Sequence, residues 1–275
     1  MAMQQPEADS QMKKQLGKLN NLLKPSQQHH YGNCSWLYNT DGLIASQHLP
    51  EKSIDMVLMD PPYNIAEHMK SRGSGVHRLR PNHFSTCEWD NLDEATWHEN
   101  MVSLAKELFR IVKTGGTIII FMSILKVETI KKIFETAGFY YKTTGVWHKT
   151  NPIPRNMNIN FLNSTEVWLY FVRGKTTGTF NNNGKALHDF IETSLTPMSE
   201  KKHGRHPTQK PIRLMDFFIK TLSNKGDYIF DPFAGSGSTL VSALQQGRNF
   251  IGVELHKEYF DLANSRVKEI IEAGQ

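Results

Sequence analysis

The 275-residue sequence contains only two cysteines, Cys34 and Cys87, and no CxxC spacing. That excludes a disulfide framework and a thiolate zinc site. Long apolar runs are missing as well. None approaches the length that crosses a bilayer, and the polar N-terminus lacks the apolar core of a signal peptide. The reading is a cytoplasmic chain with no membrane partner. Neither sign of charge dominates strongly, with 32 Lys and Arg against 27 Asp and Glu. Internal repeats are absent. What is present, 39% hydrophobic and 21% charged residues, suits one large α/β domain with a sizeable core.

Residues 1–30 read as an N-terminal extension. Leu16, Leu19, Leu22 and Leu23 suggest a short amphipathic helix before Pro25, frayed or lightly docked. Residues 31–275 read as a single domain. Strands are expected at 35–39, 54–59, 117–122, 139–149, 165–172, 228–230 and 250–253. Helices are expected around 43–48, 94–112, 125–137, 211–222, 238–246 and 257–272, with Pro211 at a first helical position and Gly138 as a C-terminal cap. Strands alternating with helices imply an open, mostly parallel sheet covered on both faces. The 66–91 stretch reads as a long linker and 174–204 as a polar insertion.

Asp60-Pro61-Pro62-Tyr63 closes the apolar run Ile54–Met59. Proline fixes φ and has no N–H, so the strand stops there. The Asp60 carboxylate and neighbouring carbonyls are left pointing out of the sheet edge. With the ring of Tyr63 they form a pocket for a flat, polar heterocycle.

A second turn, Asp231–Thr239, lies between a strand and a helix and contains Gly235 and Gly237. Such a turn brings backbone close to a ligand and aims N–H groups at it. It has no lysine, so it is not a Walker loop. Leu240 stands where the dinucleotide fingerprint needs a third glycine. Glu254, at the end of the next strand, can accept the hydroxyls of a ribose. Glycine turn plus acid points to a nucleoside-containing ligand without a required phosphate. The bland alternative is a helix cap followed by a solvent-facing acid.

Basic residues are unevenly placed. Residues 142–185 carry six Lys and Arg against one acid, Glu166. Residues 66–83 carry Lys70, Arg72, Arg78 and Arg80 against Glu67, with three histidines besides. Both segments are consistent with a polyanion footprint or with solvated loops.

These motifs together resemble the β class of S-adenosylmethionine-dependent DNA amino-methyltransferases, over about residues 33–268. Asp60–Tyr63 resembles the family's catalytic motif and Asp231–Thr239 its cofactor loop. Their order, catalytic before cofactor, is the permuted order of that class. His206–Pro211 is similar to the motif that precedes the cofactor loop. Trp147–Pro152 followed by Glu166 resembles the flank of the target-recognition region. Asp41 sits where the family has an acid near the adenosyl group, with Thr40 in place of the usual glycine.

The resemblance implies a class I methyltransferase fold: a doubly wound, mostly parallel seven-stranded sheet with an antiparallel edge hairpin and a small target-recognition insertion. It implies methyl transfer from S-adenosylmethionine to the exocyclic N6 of a flipped adenine in DNA, leaving S-adenosylhomocysteine and requiring no metal. Asp60, Pro61 and Tyr63 would be catalytic. Asp41, His206, Lys210, Asp231, Phe233, Gly235, Ser236, Gly237, Ser238 and Glu254 would hold the cofactor, with Lys210 pairing with the methionine carboxylate. His206 and Lys210 have an alternative as caps or surface charges, and Phe233 as core. Trp89 and Trp147 read as core before base-stacking platforms. Target recognition would use about residues 149–205 and the 66–91 loop, with Lys70, Arg72, Arg78, Arg80, Lys149, Arg155, Arg173 and Lys175 on DNA. A homodimer, a cognate restriction endonuclease and a prokaryotic cytoplasm or nucleoid follow from the resemblance alone. Cytosine-N4 transfer and a catalytically silent DNA-binding subunit are the alternatives. The aspartate of the catalytic motif favours adenine.

Overall fold

Five strands with almost no polar interior residues form the middle of the molecule. The computed structural model describes residues 5–32, 34–64, 93–154 and 161–273. Its strands are β1 (Gln28–Tyr31), β2 (Ser35–Tyr38), β3 (Ile54–Met59), β4 (Val112–Met122), β5 (Phe139–Lys149), β6 (Thr165–Arg173), β7 (Phe190–Thr193), β8 (Tyr228–Asp231) and β9 (Asn249–Val253). They make one sheet in the order β1-β2-β9-β8-β3-β4-β6-β5-β7. β2, β9, β8, β3 and β4 run parallel. Their apolar runs are continuous because both faces are covered. β6 returns antiparallel to β4 and β5 antiparallel to β6.

The seven strands from β2 to β5 are the expected seven-stranded sheet with its edge hairpin. Two short strands extend it. β1 pairs antiparallel with β2, and β7 pairs with β5 from inside the stretch read as a polar insertion.

Alternate residues of β3 serve opposite faces, as the pleat requires. Val57 and Met59 join the core built with helices α1 (Gln5–Leu22), α3 (Glu94–Ile111) and α4 (Val127–Ala137). Met56 and Leu58 join the core built with α5 (Ile212–Leu222), α6 (Ser238–Gln245) and α7 (Lys257–Ala273). The short helix α2 (Gly42–Gln47) follows β2 on the first face. α5 begins at Ile212, so Pro211 is the residue that caps it rather than its first helical residue. Among the described residues no helix is long and apolar enough to cross a membrane.

The N-terminal extension, expected from the sequence to be frayed or lightly docked, is docked and firmly so. α1 buries Met12, Leu16 and Leu19 completely, while Leu22 points outward. Polar bonds fix the helix as well: the Tyr228 hydroxyl donates to Asp9 at 2.7 Å and the Tyr38 hydroxyl to Asn20 at 2.8 Å. A stripe at helical spacing that meets a sheet face on arrival gains burial of about 1.5–3 kcal/mol per large apolar side chain.

Candidate active site

Strand order gathers four acids that the sequence scatters. Asp41 follows β2, Glu254 follows β9, Asp231 ends β8 and Asp60 follows β3. The sheet order β2-β9-β8-β3 sets them in a row along the carboxyl ends of neighbouring parallel strands. β8 and β3 are where strand order reverses, the place at which open α/β sheets leave a crevice. The seam is direct: Val57 pairs with Phe230.

A cavity of about 660 Å³ opens over this row. Asp41, Asp60, His206, Lys210, Asp231, Phe233, Gly235, Ser236, Ser238 and Glu254 all line it. Gly237 does not. A Cβ there would sit 2.9 Å from the Ala263 Cβ, and its φ of +78° is left-handed, so this glycine permits close packing of the turn on α7. Gly42 plays a similar part across the cavity, where a Cβ would lie 2.5 Å from the Pro232 carbonyl oxygen. Trp147 is buried and donates to the Thr193 hydroxyl at 2.8 Å, a core role. Trp89 lies outside the described residues.

At the Asp60 end, charges alternate. Lys210 Nζ lies 2.5 Å from Asp60 Oδ2 and 3.1 Å from Glu166 Oε2. Lys149 Nζ lies 2.7 Å from Glu166 Oε1. The Tyr63 hydroxyl donates to Asp60 Oδ1 at 2.8 Å and approaches Glu166 Oε2 at 3.3 Å. Burial raises the Asp60 carboxyl above its ordinary range, against the pull of Lys210. Burial would raise Glu166 too, but Lys210 and Lys149 outweigh it and hold that carboxyl low. Trp97 Nε1 on α3 donates to the Pro62 carbonyl at 3.0 Å, fixing the turn from the side. The Pro61 carbonyl carries no hydrogen bond among the described residues.

Lys210 therefore departs from its expected position on a cofactor carboxylate. Its ammonium faces the catalytic turn, and only its backbone faces the glycine turn, accepting from the Ser238 hydroxyl at 2.7 Å.

The other acids have no such counter-charges. Glu254 accepts from the N–H of Gly235 and of His256, both at 2.8 Å. Asp231 accepts from the Phe233 N–H at 3.0 Å. Asp41 caps α2 through the N–H of Leu43 and Ile44. No Lys or Arg pairs with these three among the described residues. Burial pushes Asp231 up to about 7 and raises Glu254. His256 Nε2 is a buried ring nitrogen on the cavity wall with no hydrogen-bond partner among the described residues. Burial lowers His206 to about 4, so it packs as a neutral ring, edge-on to Tyr259 at 4.2 Å.

Sequence reasoning left several site residues out. Arg266 on α7 holds the glycine turn from behind, donating from Nη1 to the Ser236 carbonyl at 2.6 Å and to both serine hydroxyls. Trp97, Met101 and Leu104 of α3 wall the cavity. Glu166 entered only as the flank of a recognition segment and Lys149 as a phosphate ligand. Their cross-strand placement, with Trp147 opposite Glu166, was the available signal.

A family model described as DNA methylase, for N6/N4 methyltransferases, matches residues 54–265. The chain belongs to this DNA methylase family. It is 32% identical over 245 residues to the Type II methyltransferase M2.DpnII of Streptococcus pneumoniae, covering 84% of this chain and 89% of that relative. It is 32% identical to M.HinfI of Haemophilus influenzae over 81% of this chain and 65% of that protein. Among solved structures, the M1.HpyAVI–SAM complex matches with a TM-score of 0.61 and 26% identity, covering 84% of this chain and 98% of that one. The cytosine-N4-specific PvuII methyltransferase matches with a TM-score of 0.68 at 19% identity, over 87% and 90%, a likeness of fold alone.

The basic residues of this DNA methyltransferase are not arranged as the charge pattern suggested. Lys149 is buried in the ion chain. Arg173 lies at the opposite end of the sheet, stacked on Phe109 and donating to the Val112 carbonyl at 2.6 Å. Lys175 follows it, and its carbonyl accepts from Lys142 at that same end. Lys149 is thus buried among charges, and Arg173 and Lys175 lie at the edge of the sheet away from Asp60. Lys70, Arg72, Arg78, Arg80 and Arg155 lie outside the described residues, as do the 66–91 loop and part of the recognition segment.

Proposed function

We propose that this methyltransferase transfers the methyl group of S-adenosylmethionine to the N6 of an adenine rotated out of DNA. The observation that carries the reading is that Asp60 and the glycine turn wall one cavity at the β3–β8 seam. The residues present suit the methyl donor. Glu254 has lone pairs left for ribose hydroxyls, His256 Nε2 offers an unused polar atom, and uncompensated acids favour a cation. When bound, S-adenosylmethionine supplies a methyl activated by its sulfonium charge.

The protein's part is positioning and electrostatics. An exocyclic amine is a poor nucleophile because its lone pair is delocalised into the ring. Asp60 accepts one of its N–H groups and the Pro61 carbonyl the other, drawing the nitrogen toward tetrahedral geometry. Tyr63 stacks on the base, whose extrusion costs roughly a few kcal/mol. The nitrogen lone pair forms the new N–CH3 bond while the S–CH3 electrons stay on sulfur. The surplus proton on nitrogen leaves through Asp60 to water.

Asp41, Phe233, Gly235, Ser236 and Ser238 complete the donor's wall in this reading, and Gly237 shapes the turn. Recognition of the DNA sequence belongs to the 66–91 loop and the segment after Lys149. A homodimer and a cognate restriction endonuclease are the partners it carries. Labelled S-adenosylmethionine with unmethylated plasmid DNA tests it, with nucleoside mass spectrometry of the product. N6-methyladenine is expected. N4-methylcytosine alone would overturn the choice of base, and no incorporation would leave a silent DNA-binding subunit.

A further inference from the structure

Four ionisable side chains from four separate segments, two buried lysines and two half-buried acids, meet at the catalytic turn. Asp60 comes from the end of β3, Lys210 from the segment before α5, Glu166 from β6 and Lys149 from β5. The two lysines are 7% and 9% exposed, with their ammonium groups 5.1 Å from the Phe121 ring centre and 5.3 Å from that of Trp147. Burying the two ammonium groups costs desolvation that their attraction to the acids repays poorly, so such a chain is weak evidence of a stability role. Its terminal member is the carboxylate that the reaction uses.

We propose that Lys210 and Glu166 are positioning residues for methyl transfer, which hold the Asp60 carboxylate ionised and turn one of its oxygens toward the target amine. The proposal rests on the functional reading above. Lys210 occupies Asp60 Oδ2 and thereby fixes the carboxylate plane. Oδ1, which among the described residues carries only the Tyr63 hydroxyl, is the oxygen left for the base. Glu166 draws on the same ammonium from the other side and is itself anchored by Lys149. Lys210 thus divides its charge between two acids, so the Asp60 carboxyl stays basic enough to take the proton that methylation releases. The backbone of Lys210 is tied to Ser238, so the same residue couples the catalytic turn to the glycine turn.

Groups facing Asp60 come from every neighbouring element. Tyr63 faces it from its own turn, Lys210 from the segment before α5 with His206 beyond it, Glu166 from β6 with Lys149 beyond, and Asp231 from β8. Removing Lys210 takes away an opposite charge and must raise the Asp60 carboxyl. Removing the charge of Glu166 takes away a like charge and must lower it. The two variants therefore move the acid limb of turnover in opposite directions.

The test is the pH dependence of kcat on unmethylated plasmid DNA at saturating S-adenosylmethionine, for wild type, Lys210→Met, Lys210→Arg and Glu166→Gln. Lys210→Met is expected to move the acid limb up by about one pH unit or more, and Glu166→Gln to move it down. Lys210→Arg is expected to keep it near wild type with a reduced kcat. Limbs that stay in place, or move together, overturn the proposal, since a merely structural role lowers kcat without sorting the limbs by sign. If Lys210→Met does not fold, the isosteric Glu166→Gln decides alone. Wild-type failure to methylate adenine would sink the functional reading, whereas active wild type with unmoved limbs sinks only this inference.

Discussion

The two halves of the carboxyl edge treat buried acid in opposite ways. At the β3 end, Asp60 and Glu166 are interleaved with Lys210 and Lys149. At the β8, β9 and β2 ends, Asp231, Glu254 and Asp41 are met by backbone N–H groups and, at Asp231, the Thr239 hydroxyl, with no Lys or Arg pairing among the described residues. At Asp60, Lys210 favours the ionised form against the burial that raises the carboxyl, and at Glu166 the two lysines win outright. Asp231 and Glu254, raised by burial with no cation beside them, gain most when a cation arrives. The first arrangement suits an acid that must accept hydrogen bonds from a neutral base. The second suits a pocket for a positively charged donor that becomes neutral on giving up its methyl group. Product release is helped by the same asymmetry.

Substitution on the paired side is expected to act on chemistry. Asp60→Ala should lower kcat by about a thousandfold or more, with S-adenosylmethionine affinity within about twofold of wild type by calorimetry. Retained turnover would erase the distinction between the halves. On the unpaired side, Glu254→Ala should weaken cofactor binding by about 10–100-fold, with a smaller loss of kcat at saturation. It should also lower Tm, because Gly235 and His256 lose their acceptor.

A smaller effect sharpens the contrast through pH. Asp231 titrates at about 7 in the free protein, and a bound sulfonium favours its ionised form. Cofactor affinity should therefore fall by about tenfold between pH 8 and pH 6 and level off above pH 8. Asp231→Asn should flatten that dependence, as read by calorimetric titration at each pH. The smallest effect belongs to the far end of the sheet. Lys175→Ala should leave DNA affinity and its salt dependence within about twofold of wild type, measured by fluorescence anisotropy. A large loss there would mean that DNA reaches the opposite edge.

Most of the sheet was legible because central parallel strands are continuous apolar runs and their helices carry one apolar stripe. The Asp60 turn and the glycine turn were legible because proline and glycine mark where strands must stop. Glu166 and Lys149 were not read as partners of Asp60, because that meeting depends on the β5–β6 register and on the convergence of four segments. Arg173 and Lys175 misled for a related reason. Net charge along a segment does not say which edge of a sheet it reaches, and pairing of Val172 with Thr117 puts them at the far one. Met12, Leu16 and Leu19 form a readable stripe, but the Tyr38 and Tyr228 that receive α1 lie elsewhere in the sequence.

The β3–β8 seam has a consequence for the order of events during synthesis. Met56 and Val57 leave the ribosome early, and their partners Ile229 and Phe230 late. Contacts this distant in sequence form slowly and only once the intervening chain exists. A nascent chain carries the Asp60 turn through the synthesis of the intervening residues without the wall that would hold a methyl donor. The cavity at the seam is thus completed in one step, after the whole stretch between the two motifs has been made.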